Sequence, residues 1–191
     1  MYDKYVKDVI AIYDKEQDEY EELEKKNLPH EKEHEEEHKI AEKYDELLLK
    51  NNDKYKIIFR YDLLDAWGVQ ISTLIITDDK KDNMWCVYDN ENQKEELGTE
   101  YFTIDTSEVK KIIDKYKKHI INREEVEIQH GILDGVRNVF YFSIDGERVE
   151  LQFNNLWACD GSNYVIDFLD ELYPILYKVN DHLHRCLYLG Q

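Results

Sequence analysis

The chain has 191 residues, of which 42% are hydrophobic and 36% are charged, and its formal net charge is −18. This length predicts one domain, or one domain with an appendage, and there are enough apolar residues to form a core. The acidic balance argues against a free-standing nucleic-acid-binding protein, because such a protein needs a basic surface to contact phosphates. Only 7 glycines and 2 prolines are present, which excludes collagen-like, linker-dominated and mostly disordered chains.

Neither the first residues nor any apolar run is typical of a targeted or membrane-spanning chain. The N-terminal segment has acids within three residues and spaced apolar positions, which is unlike a signal peptide. No stretch reaches the roughly 18 consecutive apolar residues of a membrane span. The three cysteines show no CxxC spacing, a pattern typical of reduced thiols. We therefore expect a cytoplasmic protein.

Residues 1–51 have the apolar spacing of two helices. Asn27 to Pro29 predict the turn between them, since proline suits the first turn of a new helix. Apolar positions of the first helix recur on an alternating three-and-four step, with Glu16 as the polar exception. The members of this stripe are Val6, Val9, Tyr13, Tyr20 and Leu23. The pattern predicts an acidic α-helical hairpin over 1–51, with an apolar base and an almost wholly charged tip, followed by a second domain over 52–191.

Beyond the hairpin, the apolar period changes from the helical value to two, which indicates strands. The alternating segments are residues 55–61, 69–77, 84–89 and 101–105. Asp105 then begins a capping box, and the apolar stripe over 109–120 that follows it predicts an amphipathic helix.

Three more alternating segments and a last helix complete the chain. The segments are residues 124–129, 136–144 and 147–153, and Asp145-Gly146 predicts a tight hairpin turn between the last two. The final helix is expected from about Asn163, with Ser162 or Asn163 as its N-cap and a kink or break at Pro174. Because strands follow one another directly, the fold class is α+β: an N-terminal α-hairpin followed by a mostly antiparallel β-sheet packed by two helices.

Residues 30–34 match H-E-x-x-H, the helical pattern in which two histidines bind Zn²⁺ and the glutamate activates water. Lys32 and Glu33 separate the two histidines, whereas a catalytic helix buried beside its site normally has uncharged residues there. The pattern therefore favours a solvated acidic helix, and we expect no catalytic residue and no cofactor. Imidazoles four residues apart can nevertheless share one metal ion, so His30, His34 and His38 are retained as a candidate zinc-binding face.

The charge distribution is more informative than this motif. Residues 16–37 contain eleven acids and three lysines, a net charge of −8. The negative electric field of such a segment attracts a basic partner and steers its approach. An acidic helix can also serve solubility alone. Tyrosine is abundant, with 15 residues, and its large rigid side chain suits binding surfaces. The predicted partner-binding residues are Glu19, Glu22, Glu33, Glu36, Glu37, Tyr2 and Tyr5.

Two further groups of charged residues allow more than one interpretation. The central helix carries five lysines, and these predict a basic face that receives an acidic hairpin, either that of the same chain or that of a second copy in a homodimer. The lysines are Lys110, Lys111, Lys115, Lys117 and Lys118. Carboxylate pairs such as Asp62 and Asp65 are interpreted as turn residues, because acids are too common here for a pair to indicate catalysis.

Together these patterns predict a non-enzymatic acidic binding or inhibitor protein. Its partner would be a basic, nucleic-acid-processing protein, which it neutralises as a toxin-immunity protein or a phage anti-defence inhibitor does, with nucleic-acid mimicry as one mechanism. No direct contact with nucleic acid or membrane is expected. Two alternatives are a metal-dependent hydrolase using His30, Glu31 and His34, and a self-assembling structural protein whose hairpin mediates assembly.

Overall fold

The structure is a computed structural model that describes residues 2–65, 70–79, 83–88, 96–126, 135–156 and 163–179. The chain divides into two compact units, Met1–Lys56 and Ile57–Gln191. The first unit contains a pair of helices, and the second contains a sheet with two further helices. In the described part of the chain, no helix combines the length and the apolar character needed to cross a membrane.

The first unit is a helical hairpin, as predicted. Helix α1 spans Tyr2–Glu24 and helix α2 spans His30–Lys54. Asn27, in the turn between them, has a φ of 45°, a left-handed conformation that asparagine tolerates. Acids in the first turn of α2 favour its start, because they face the positive end of the helix dipole.

The buried side chains of the hairpin differ in part from the predicted stripe. Val9 and Leu23 are buried as expected, but Tyr13 is 38% exposed. Tyr5, which the stripe omits, is only 4% exposed. On α2 the buried residues include Tyr44 and two consecutive asparagines near the helix end. The hairpin therefore buries polar groups as well as apolar ones.

The second unit contains a six-stranded antiparallel sheet with the order β4-β3-β2-β1-β5-β6. Its strands are β1 Ile57–Leu64, β2 Gln70–Thr77, β3 Asn83–Tyr88, β4 Glu96–Phe102, β5 Arg137–Ile144 and β6 Glu147–Asn154. Strands β1 to β4 form a meander, and β5 then pairs with the other edge of β1. The earliest strand of the chain is thus inside the sheet, with neighbours on both sides.

Helix α3, Thr106–Ile121, and helix α4, Tyr164–Val179, pack on one face of this sheet. The core between them contains aromatic rings from three elements, including Phe59 of β1, Phe142 of β5 and Phe168 of α4. Phe168 lies 5.3 Å from Phe59 and 5.4 Å from Phe142, measured between ring centroids. These contacts confirm the predicted α+β class, with two helices packed on an antiparallel sheet.

Local signals for turns and caps are confirmed. The Asp105 carboxylate accepts a hydrogen bond from the backbone N–H of Ser107 at 3.1 Å, so it caps α3. The Asn163 side-chain oxygen accepts from two backbone N–H groups at the start of α4, each at 3.0 Å. Asp145 and Gly146 have φ values of 51° and 82°, which the tight turn between β5 and β6 requires.

Several predicted boundaries are wrong. Strand β4 begins at Glu96 rather than at residue 101, so the predicted segment coincides only with its end. Residues 124–126 are not a strand, and the rest of that predicted segment lies outside the described residues. Helix α4 continues through Pro174 without a break, because packing of its apolar face outweighs the missing hydrogen bond.

Candidate interaction surface

The acidic segment predicted from the sequence forms one end of the hairpin. It comprises the last turns of α1, the connecting turn and the first turns of α2. Seven acids of this region are exposed or half-exposed and have no ion pair or side-chain hydrogen bond in the described part of the chain. We call them the tip acids: Asp18, Glu21, Glu22, Glu24, Glu31, Glu33 and Glu35.

Glu22 and Glu33, which the sequence analysis assigns to partner binding, belong to the tip acids. Only three lysines accompany the eleven acids of residues 16–37. Helix neighbours three or four positions apart, such as Glu31 and Glu35, lie on one face and repel each other. The tip acids therefore form a surface whose negative charge is not compensated by its own surroundings.

Glu19 has a different role from the one predicted. Its Oε1 accepts hydrogen bonds from the Lys43 ammonium and from the Tyr44 hydroxyl, the latter at 2.7 Å, and both donors lie on α2. These bonds, that of Lys43 first, hold the pKa of Glu19 below its usual value. Burial and the Glu19 carboxylate raise the pKa of Tyr44. Glu19 thus connects the two helices, because its carboxylate accepts hydrogen bonds from two side chains of α2.

The same arrangement recurs near the base of the hairpin. Asp8 Oδ2 accepts from the Lys54 ammonium at 2.5 Å and from the Tyr55 hydroxyl at 2.8 Å. The bond from Lys54, followed by that from Tyr55, lowers the pKa of Asp8. In both cases a Lys-Tyr dipeptide, within α2 for Lys43-Tyr44 and at its C-terminal end for Lys54-Tyr55, holds one carboxylate oxygen of α1. We call each such group of three side chains a clasp.

A third clasp lies in the second unit, between α3 and α4. The Lys115 ammonium and the Tyr116 hydroxyl both donate to Oε1 of Glu171, the hydroxyl at 2.8 Å. Lys115 Nζ lies 5.0 Å from the centroid of the Tyr116 ring, and the corresponding distances are 4.9 Å in the other two clasps. The clasp is therefore a repeated local structure that accounts for three of the tyrosines.

Glu36 and Glu37 form only local pairs along α2. Glu36 accepts from Lys39 at 2.5 Å, and Glu37 lies 3.4 Å from the imidazole of His34. The side chains in both pairs are 45% exposed or more. Exposed pairs of this spacing contribute little stability, so a partner can replace them at small cost.

Of the two tyrosines assigned to partner binding, the structure describes the side chain of Tyr5 and not that of Tyr2. Tyr5 is buried, its hydroxyl donates to Asn52 Oδ1 at 3.2 Å, and its ring packs edge-on against Tyr55 at 5.3 Å. It is therefore a packing residue of the hairpin, and its buried side chain offers little surface to a partner. The side chain of Tyr2 lies outside the described residues.

The histidine face lacks the geometry of a metal centre. The described residues contain no group of three or more His, Cys, Asp or Glu side chains that could hold a metal ion. His30 and His38 are eight residues apart on a helix, about 12 Å along its axis, which prevents all three imidazoles from sharing one ion. The side chains of His34 and His38 are 78% and 69% exposed. The three histidines therefore cannot hold one ion together, and the helix that carries them is exposed to solvent.

The basic face of α3 is largely used within its own unit. Lys110 pairs with Asp78 at 2.5 Å, Lys117 pairs with Asp145, and Lys115 is part of the third clasp. Lys111 and Lys118 are exposed. The observation that suggested a homodimer thus has an intramolecular explanation for three of the five lysines.

Sequence reasoning missed a buried charged cluster on the sheet face opposite α3 and α4. Asp62 is 3% exposed, pairs with Arg60 at 2.5 Å and accepts from the Thr73 hydroxyl at 2.6 Å, so it is not a turn residue. The Tyr141 ring lies between two guanidinium groups, that of Arg60 at 5.0 Å and that of Arg148 at 4.7 Å. We call these five residues the arginine cluster.

A signal for the arginine cluster is present in the sequence. Arg60 precedes Asp62 by two positions on β1, and Arg148 precedes Glu150 by two positions on β6. Side chains two apart on a strand share a face, so each arginine can reach its acid. Both pairs form, at 2.5 Å and 3.1 Å. Each arginine of the cluster is thus paired with a carboxylate of its own strand, whereas the tip acids form no ion pair in the described part of the chain.

In comparisons with protein-family models, curated proteins and solved structures, the chain has no match.

Proposed function

We propose that this protein is a non-enzymatic binding protein whose acidic hairpin neutralises a basic, nucleic-acid-processing partner. The tip acids would occupy the groove in which that partner binds phosphates. The observation that carries the proposal is the contrast between the tip acids and other acids of the hairpin. Glu19 and Asp8 are bonded to lysines of the same chain, whereas seven exposed carboxylates at the tip have no such bond in the described residues.

Uncompensated carboxylates favour association with a basic surface for a physical reason. Each tip acid is already hydrated and is not held by another side chain, so binding breaks no internal ion pair. A concentrated negative field raises the association rate with a positively charged protein, and salt reduces that rate. The clasped and paired acids would lose part of this advantage, because their own lysines must first be displaced.

The experiment compares three baits of equal length in pull-downs from host lysate at low salt. One is the native chain, and the second is a tip variant with Glu21→Gln, Glu22→Gln and Glu35→Gln. The matched control neutralises three exposed acids of the second unit that have no ion pair among the described residues: Asp114→Asn, Glu125→Gln and Glu147→Gln. Both variants change the net charge by the same amount, and circular dichroism verifies that both are folded.

The proposal expects a basic protein that the native and control baits retain and the tip variant loses. Double-stranded DNA added to the resin should release that protein, because the tip acids and the phosphates compete for one groove. Equal retention by the two variants would show that total charge alone is responsible. Failure of DNA to displace the protein, or the absence of any retained basic protein, would also overturn the proposal.

A further inference from the structure

We propose that the two clasps of the hairpin fix the register of α1 against α2, which makes the hairpin a rigid pair of helices and holds the tip acids in a fixed arrangement relative to one another. The inference concerns the hairpin itself and holds whether or not the tip binds a partner. Asp8 and Glu19 thereby have a positioning role, each through a Lys-Tyr dipeptide, Lys43-Tyr44 within α2 and Lys54-Tyr55 at its C-terminal end.

The spacing of the clasps is equal on the two helices. Asp8 and Glu19 are eleven residues apart on α1, and Lys43 and Lys54 are eleven residues apart on α2. Eleven residues correspond closely to three helical turns, so both clasps lie on the same flank of the hairpin, about 16.5 Å apart along it. One contact would leave α1 free to pivot, whereas two contacts at separate levels restrict both sliding and rotation.

The packed side chains alone specify this register poorly. The stripe of α1 is interrupted by Glu16, and Tyr13 is 38% exposed. A clasp is more selective than an apolar contact, because its ammonium and hydroxyl donors must reach the same oxygen atom. A slip of one turn would move that oxygen by about 5.4 Å and break both bonds. Polar contacts inside a helix pair are a known means of setting register.

Recurrence in the second unit supports the same conclusion. Lys115, Tyr116 and Glu171 repeat the arrangement between α3 and α4, a helix pair in the other unit. The tyrosines of all three clasps are buried, at 2%, 8% and 8% exposure for Tyr44, Tyr55 and Tyr116. Each carboxylate is therefore held against a fixed ring and not only by a flexible lysine.

The test is hydrogen exchange of the full chain, followed by mass spectrometry. A clasp variant carries Asp8→Asn and Glu19→Gln, and the matched control carries Asp14→Asn and Asp53→Asn. Both neutralise two acids of the hairpin, but Asp14 and Asp53 are exposed and have no side-chain partner in the described residues. We expect amide exchange over residues 16–37 to become about threefold faster in the clasp variant, an increase that corresponds to the loss of weak exposed bonds. In the control, the exchange rate should stay unchanged.

Equal exchange rates in these two variants would overturn the proposal. If the clasp variant loses the hairpin altogether, Tyr44→Phe replaces it, because this change removes one hydroxyl and retains the buried ring. Faster exchange over 16–37 in Tyr44→Phe would then support the proposal. Unchanged exchange in Tyr44→Phe would contradict it, since the second donor of the clasp would then have no effect on the hairpin.

Discussion

Asp62 occupies a position where a charged carboxylate is costly. It is 3% exposed on β1, and two groups compensate its charge: the guanidinium of Arg60 and the hydroxyl of Thr73. A buried ion pair adds little net stability relative to apolar residues, but the removal of one partner leaves the other charge buried and uncompensated.

We predict that Asp62→Asn lowers the free energy of unfolding by about 3–5 kcal/mol, because Arg60 loses its carboxylate. The measurement is urea-induced unfolding of the native and variant chains. The matched change is Asp78→Asn, which breaks the pair with Lys110, a pair whose two side chains are 48% and 46% exposed. Its expected cost is under about 1 kcal/mol, and equal losses in the two variants would contradict the role given to burial.

The contrast between Asp62 and Asp105 explains what the sequence can predict about single residues. Asp105 caps α3 through a hydrogen bond to a residue two positions later, so the whole interaction is visible in a short segment. Burial of Asp62 depends on β2 and β5, whose paired residues are 11 and 77 positions away. The tip acids were predictable for the same local reason as the cap, whereas the clasps depend on which turn of α1 faces which turn of α2.

Helix α4 contains a proline in its interior. Pro174 is exposed and has no N–H to donate to the carbonyl of Asp170, yet the helix spans Tyr164–Val179. Its buried residues Phe168 and Leu172 precede the proline and Leu176 follows it, so the helix packs on the core on both sides of Pro174. The helix therefore forms although proline has a low helix propensity. This low propensity is the reason why the sequence predicted a kink or break.

We predict that Pro174→Ala raises the free energy of unfolding by about 1–3 kcal/mol, because alanine restores the hydrogen bond and relieves the clash with the preceding turn. Thermal unfolding of the native and Pro174→Ala chains measures this difference in stability. Lys178→Ala, another exposed position of α4, serves as the control and should stay within about 0.5 kcal/mol of the native value. A lower stability of Pro174→Ala would show that the proline is preferred at this position.

The clasps make the helix pairs sensitive to pH in a defined direction. Burial, followed by the bonded carboxylate, raises the pKa of Tyr44 and of Tyr55 above 10.0. The folded state thus favours the protonated hydroxyls, and their stabilising effect is present below pH 10.0 and lost as the pH rises through the raised values. Asp8 and Glu19 have lowered pKa values, so they respond to pH in the opposite direction. Their carboxylates stabilise the folded state at neutral pH, and this stabilisation is lost as the pH falls and the carboxylates become protonated.

We predict that Tyr44 and Tyr55 ionise later than ordinary tyrosines during an alkaline titration followed by tyrosinate absorbance. In the double variant Tyr44→Phe and Tyr55→Phe, the increase in absorbance at high pH should be smaller than in the native chain. The increase at the lower pH values of the titration should be unchanged. Tyr164, whose pKa burial raises to about 12, should remain among the last to ionise. Loss of early absorbance in the double variant would contradict the assignment.

Elements whose patterns are local are the ones that the sequence predicts best. The two hairpin helices and the β5–β6 turn follow from apolar spacing and from Asp145-Gly146. The position of β5 beside β1 could not be predicted, because the alternation of β5 is compatible with either free sheet edge. The start of β4 at Glu96 was missed for a related reason, since the residues from 96 to 100 are mostly polar and do not alternate.

At the scale of the whole molecule, charge is distributed unevenly. The net charge is −18, and residues 16–37 account for −8 of it. Lysines of α3 compensate acids of the second unit, including Asp78, Asp145 and Glu171. Like charges that are not compensated destabilise a compact state, and salt screens them over roughly 10 Å at about 0.1 M.

We predict that added sodium chloride raises the thermal midpoint of unfolding by about 2–4 °C, because it screens repulsion among the tip acids. The tip variant with Glu21→Gln, Glu22→Gln and Glu35→Gln should show a smaller rise. The variant with three neutralised acids in the second unit should respond as the native chain does. Identical salt responses in all three proteins would show that the tip acids do not repel each other measurably.

The central place of β1 in the sheet affects the order of events while the ribosome makes the chain. Phe59 and Tyr61 of β1 are synthesised early, yet their partners Phe142 and Phe140 on β5 are made about 80 residues later. At ordinary translation rates that interval is on the order of ten seconds. Throughout it, one edge of an apolar strand stays open to other nascent chains. Cotranslational aggregation should therefore begin at β1, and a chaperone that binds during synthesis would protect this strand first.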